Sequence, residues 1–171
     1  MKNASSSALE LAKSIQDDIP KLSKPPEEGY LAESQQVIDT SMVSKTRGYI
    51  EKITNQINGC YERGWLDGCS VMIRKLIETL IIEVYEHYGL TEKIKDTNGD
   101  FFLLDSLIGV ILIEDKWTLG RETKKALPKI KKLGDRSAHA RRYVAIPGDI
   151  EKIIEDIRIT VQELIFLAGL K

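Results

Sequence analysis

Residues Cys69 to Tyr88 form a stretch that is apolar on nearly every side. Val71, Met72, Ile73, Leu76, Ile77, Leu80, Ile81, Ile82, Val84 and Tyr85 leave no continuous polar face at the helical period. A helix of this kind is unstable at a surface and must be wrapped by neighbours, which makes it the central helix of a bundle. Asp67 is placed to cap its start, and Gly89 offers the left-handed stop at its end.

The flanking segments supply the wrapping. From about Tyr30 to Arg63 the apolar residues Leu31, Val37, Ile38, Met42, Tyr49, Ile50, Ile53, Ile57, Cys60 and Tyr61 recur at a helical period, which also allows a split near Ser44 to Gly48. A loop containing Asn98-Gly99 leads to an apolar helix over about Phe101 to Ile113. Trp117-Thr118 then opens a basic helix that starts near Leu119, is kinked or restarted at Pro128, and is interrupted at Gly134-Asp135. After Pro147-Gly148-Asp149, where Asp149 can cap, an amphipathic helix over Ile150 to about Leu167 turns Ile153, Ile154, Ile157, Val161, Leu164 and Ile165 inward. No bounded run of period-two alternation appears, although Tyr143 to Ile146 can be briefly extended. The expected fold is all-α, an up-and-down bundle of four to five core helices. Residues 6 to 19 carry Ala8, Leu9, Leu11, Ala12 and Ile15 at a helical period before Pro20 and the Pro25-Pro26 stretch. The chain thus divides into an arm and linker over 1–29, helices packing on the bundle over 30–66, and the main helical domain over 67–171.

At 171 residues, 42% of them hydrophobic, the chain can bury a real core. The N-terminal stretch lacks an apolar signal region, and no apolar run approaches the roughly 20 residues a bilayer requires, so a cytoplasmic protein without a membrane partner is expected. Cys60 and Cys69 have neither zinc-site spacing nor a disulfide framework and read as buried small hydrophobes.

The net charge of −1 conceals an uneven distribution. Between Arg121 and Arg142 stand nine Lys or Arg against two acidic residues, a local balance of +7, whereas the rest of the chain carries 16 basic and 24 acidic residues, a balance of −8. Such a segment is suited to phosphate. Within it, Arg136 and His139 share a helical face with Lys132 one turn back. A neutral imidazole can take a proton from a ribose 2′-hydroxyl, and the cations can stabilise charge on the phosphorus oxygens. The set therefore suffices for metal-free RNA cleavage, and equally for phosphate binding alone. Lys131, Arg141 and Arg142 are further phosphate-binding candidates. On the central helix, Arg74 and Glu78 stand four apart and read as a structural ion pair, whereas His87 lies near that helix's C-terminus, where a cation suits the dipole. Glycine-rich phosphate loops, metalloprotease motifs, nucleophile elbows and transition-metal ligand sets are missing from the sequence, so no cofactor or metal is expected.

The Arg-x-x-x-Glu pair (Arg74, Glu78) and the segment Leu133-Gly134-Asp135-Arg136-Ser137-Ala138-His139, standing before the closing helix, resemble the HEPN superfamily. The likeness extends over roughly Gly68 to Lys171 and is nearest to a bacterial branch found alone or fused to restriction-enzyme subunits. It implies a helical bundle, a homodimer, and a role in defence, restriction or toxin–antitoxin systems with RNA or a protein partner. Many members are metal-independent ribonucleases in which four to six residues separate an Arg from the catalytic His. Counted back from His139, those positions hold Gly134, Leu133 and Lys132, while Arg136 is closer than the family spacing. Lys132 supplies charge without the bidentate fork of a guanidinium. The resemblance therefore implies a non-catalytic or weakly catalytic domain that binds RNA or another phosphate-bearing ligand. A metal-independent ribonuclease using His139 with Arg136 and Lys132, and a structural protein-interaction domain, stand as the alternatives.

Overall fold

The structure, a computed structural model, describes residues 36–171 together with Glu10, Lys13 and Ser14. The rest of the expected arm and linker, and the start of the helical region expected from Tyr30, lie outside the described residues. Residues 36–171 form an all-α fold of seven α-helices: α1 Thr40–Val43, α2 Gly48–Glu62, α3 Leu66–His87, α4 Leu104–Ile113, α5 Arg121–His139, α6 Pro147–Glu151 and α7 Ile154–Leu167. A short 3-10 turn over Thr91–Ile94 links α3 towards α4, and among the described residues the only β pairing is an isolated bridge between Lys95 and Phe101.

Helix α3 is the axis. It packs against α2, α4, α5 and α7, and Ile73, Leu76, Ile77, Leu80, Ile81, Val84 and Tyr85 are essentially excluded from solvent. Its neighbours cover most of its apolar residues, leaving a strip through Val71, Lys75 and Glu86 at the surface, and this burial compensates for the weak intrinsic helix propensity of its isoleucines. The two ends of this region are set by glycine. At Gly89, φ is +67°, and the amides of Gly89 and Leu90 donate to the carbonyls of Glu86 and Tyr85, closing the last turn as the sequence suggests. Gly64 (φ +72°) ends α2 in the same way and turns the chain directly into α3.

Because α3 starts at Leu66, Asp67 is not its cap. Trp65 occupies the cap position without a side-chain hydrogen bond, and Asp67 lies in the first turn, where a carboxylate suits the positive end of the helix dipole. Its Oδ1 accepts from the Ala145 amide at 3.1 Å, pinning the extended segment after α5 to the start of α3.

Helix α5 departs from expectation twice. Pro128 neither breaks nor restarts it, and Gly134-Asp135 does not interrupt it. Pro128 stands on the exposed face, where water can replace the lost hydrogen bond, while Thr123, Ala126, Leu127, Ile130 and Leu133 anchor the opposite face in the core. Gly134 is a notch: a Cβ there would lie 2.6 Å from Cβ of Arg74, so the missing side chain lets α5 approach α3 closely. The closing helix also differs. Residues 147–151 form the separate α6, and Asp149, in its third position, accepts from the Ile146 amide at 3.2 Å, so it caps α6 instead of α7. The split expected between Ser44 and Gly48 is present, with Lys45 at φ +67°. The segment ahead of α1 is held by Asn58, which bonds both the amide and the carbonyl of Ile38, and by Arg158, which donates to the carbonyls of Gln36 and Val37.

Alanine ordinarily stabilises a helix relative to glycine by about 1 kcal/mol. At position 134 the sign reverses, and Gly134→Ala is expected to lower the unfolding free energy by about 1–3 kcal/mol in urea titrations, because the α3–α5 spacing must open.

Candidate functional site

Beside the Gly134 notch, the ion pairs cross from helix to helix. Nε of Arg74 on α3 lies 3.0 Å from Oδ1 of Asp135 on α5, while its Nη1 lies 3.6 Å from Oε2 of Glu78. The expected Arg74–Glu78 pair is therefore present, but the shorter contact is the one to Asp135. The second oxygen of Asp135 takes Nζ of Lys131 at 2.8 Å, and the same Nζ reaches Oδ1 of Asp105 on α4 at 3.1 Å. One chain of charges thus ties α3, α5 and α4 together.

Burial alone would raise the carboxyl pKa of Asp135. The hydrogen bonds from Lys131 and Arg74, with their charges, outweigh burial and hold it below the ordinary 3.8. Lys131 is shifted upward from its usual 10.5 by its bonds to Asp135 and Asp105. Its charge is committed to holding the helices together.

Between α4 and α5 this network borders an open groove of about 750 Å³. Ile108, Gly109 and Pro128 contribute its apolar surface; Lys132, Arg136 and His139 contribute cations and the imidazole. All three of the latter are exposed, and the helical period of α5 puts them along one edge. His139 is the final residue of α5 and is open to solvent, not buried against Arg74 or Glu78. Among the described residues, neither Lys132 nor Arg136 has a carboxylate within 4.0 Å.

Arg136 is ordered in a different manner. Its guanidinium carbon lies 4.0 Å from the ring centroid of Tyr143, in cation–π contact. The Tyr143 hydroxyl donates to Oδ2 of Asp149 at 2.7 Å. Burial, followed by this bond to a carboxylate, pushes the Tyr143 pKa up to about 12, so the phenol stays protonated and keeps its donor role. The same bond holds the Asp149 carboxyl below its ordinary value. Arg141 and Arg142 follow in the turn beyond α5, exposed and outside the groove lining.

The other candidates fall elsewhere. His87 ends α3, its ring 5.2 Å from that of Tyr88, and does not enter the groove. Cys69 is buried and Cys60 half-buried, both as free thiols, and burial raises the pKa of each. Among the described residues no cluster of His, Cys, Asp and Glu could hold a metal ion, and no helix is long and apolar enough to cross a membrane. Sequence reasoning passed over Asp105 and Tyr143 as site residues, and took Asp135 only as a helix interruption and as part of the Leu133–His139 segment. Asp135 carried one local signal, its position four residues after Lys131; Asp105 and Tyr143 carried none. No protein-family model, curated protein or solved structure matches this chain.

The lowered Asp135 pKa fixes a pH window. The unfolded chain takes up the proton first as pH falls, so the stabilisation is complete above 3.8 and is lost as pH drops through the lower folded value. Asp135→Asn is expected to cost about 1–2 kcal/mol at pH 7. It should also flatten the acid limb of stability below the ordinary carboxylate pKa, as followed by thermal melts between neutral and acidic pH.

Proposed function

We propose that the α4–α5 groove holds RNA or another phosphate-bearing ligand, and that the chain is a non-catalytic or weakly catalytic HEPN-like domain of a defence or restriction system. The observation that supports this reading best is the division of charge around the groove. Lys131 is neutralised by Asp105 and Asp135, whereas Lys132 and Arg136 stand exposed at the edge without a carboxylate partner among the described residues. Unpaired cations on a rigid helix are an electrostatic site for a phosphate, and Arg136, braced on Tyr143, loses little freedom when it binds. Arg141 and Arg142 extend the positive surface past the end of α5. Cytoplasmic placement and a homodimer belong to the same reading.

A second reading, metal-independent RNA cleavage, is favoured by His139. An exposed imidazole in a groove beside Lys132 and Arg136 has the access that a proton transfer at a ribose 2′-hydroxyl requires. One groove supplies one imidazole, enough for either the base or the acid step. The complementary group would come from a second copy or from water, which is why weak catalysis or none is the first expectation.

Incubating a mixed RNA pool with the wild type and His139→Ala in EDTA, with binding followed at two salt concentrations, separates the readings. Salt-sensitive binding without cleavage is expected, with Lys132→Ala/Arg136→Ala reducing the slope of log affinity against log salt by about 1–2. Cleavage by the wild type that is lost in His139→Ala would install the ribonuclease reading instead. Absence of both binding and cleavage would leave a protein-interaction domain.

A further inference from the structure

The groove is not uniformly basic, and its two sides suit different parts of one ligand. Along the outer edge of α5 lie Lys132, Arg136 and His139, all exposed. The side towards α4 carries Asp105 and Asp135, two carboxylates with only Lys131 between them. A phosphate placed against that side would meet negative charge. Both oxygens of Asp135 are occupied, by Arg74 and by Lys131. Asp105 is different: its side chain is 80% exposed and only Oδ1 contacts Lys131, so Oδ2 is an open acceptor.

Next to Asp105 the groove lining is apolar, formed by the exposed Gly109 and Pro128 over the edge of Ile108, which is otherwise buried. Gly109 is exposed in the middle of α4, and a Cβ built there would meet nothing within 4 Å. Nothing in the packing of α4 demands a glycine, in contrast to Gly134, whose Cβ would collide with Arg74. The missing side chain instead keeps the groove floor open. Phosphate binding alone needs neither an apolar floor nor a lone carboxylate acceptor. A flat, mostly apolar ring with an amine at its edge uses both. The volume of about 750 Å³ also falls within the roughly 300–1,000 Å³ of sites for small ligands.

On the reading that the groove binds RNA, we infer that it accepts one unstacked nucleotide of a single strand, with its phosphate at Lys132, Arg136 and His139, its base on the Ile108–Gly109 floor, and Asp105 selecting bases that bear an exocyclic amine. Adenine, cytosine and guanine offer that donor; uracil does not. Duplex RNA keeps its bases stacked and paired and cannot use the floor, so it binds only through the outer cations.

The test measures binding of fluorescently labelled oligo(C), oligo(A), oligo(U) and an RNA duplex to the full chain by anisotropy, at low and moderate salt, for wild type, Gly109→Leu and Asp105→Asn. Leucine is the better helix former and projects into open space, so Gly109→Leu should keep the wild-type circular dichroism and melting temperature. Wild type is expected to prefer oligo(C) and oligo(A) over oligo(U) by about tenfold. Gly109→Leu should lose about tenfold or more of single-strand affinity with duplex binding unchanged, while Asp105→Asn should erase most of the preference over oligo(U). Equal affinity of Gly109→Leu and wild type for single strands, or a wild-type preference for duplex, would overturn the inference and leave RNA binding standing. No salt-dependent binding of any RNA by the wild type would remove both. Should Gly109→Leu misfold, the wild-type ranking of the four RNAs and its change in Asp105→Asn still decide the matter.

Discussion

The carboxylate of Asp135 holds α3, α4 and α5 together. It accepts Arg74 from α3 on one oxygen and Lys131 from its own helix on the other, and Lys131 passes the link to Asp105 on α4. Three helices are thereby tied at one place, and the tie depends on Gly134, which lets α5 settle against the stem of Arg74. A side chain at that position would push α5 outwards, lengthen the Arg74–Asp135 contact and shift the groove edge. Partly exposed ion pairs contribute modestly to stability one at a time. Their value here is geometric: four charged groups in series fix the position of α5 relative to α4, and therefore the width of the groove between them.

A large part of the fold was legible because it follows from local pattern. The largely apolar surface of α3 pointed to a central helix, and the helix does pack against α2, α4, α5 and α7, with a strip through Val71, Lys75 and Glu86 exposed. Gly89 was readable as a stop because a positive φ at that point needs no side chain. The misreadings arose where tertiary packing overrode the same local rules. Pro128 is tolerated inside α5 because it falls on the solvent face of a helix whose other face is deeply anchored. Gly134-Asp135 resembles a break in sequence but is a packing notch beside a salt-bridge partner, two demands made by α3 and invisible from α5 alone. Asp67 belongs to the first turn because Gly64 starts α3 early.

The candidate site was legible in its members on α5 and illegible in their partners. Helical spacing brings Lys132, Arg136 and His139 to one groove, as periodicity requires. Which cations remain free is a different question, decided by carboxylates from elsewhere. Asp105 is twenty-six residues before Lys131, and Asp156, which takes Lys129 at 2.7 Å, arrives from α7. Neither pairing has a local signal. The Tyr143 ring that supports Arg136 is likewise delivered by a non-helical segment whose course depends on Asp67 and Asp149.

Local charge counting therefore overstates how much of the basic segment is free of carboxylate partners, and it misplaces where the charge acts. Of the nine cations between Arg121 and Arg142, Lys125, Lys129 and Lys131 have carboxylates within 4.0 Å, and the last two join separate helices. Of the remaining six, Arg121 and Lys124 lie in the first turn of α5, whereas Lys132, Arg136, Arg141 and Arg142 lie towards its C-terminal end and the turn after it, on either side of His139 in the sequence. That end of a helix carries exposed carbonyls and partial negative charge, which offsets some of the repulsion among the cations assembled there. The fold consequently concentrates positive charge next to its one groove-lining imidazole, with the Asp149 carboxylate near Arg136 offsetting a further part of it.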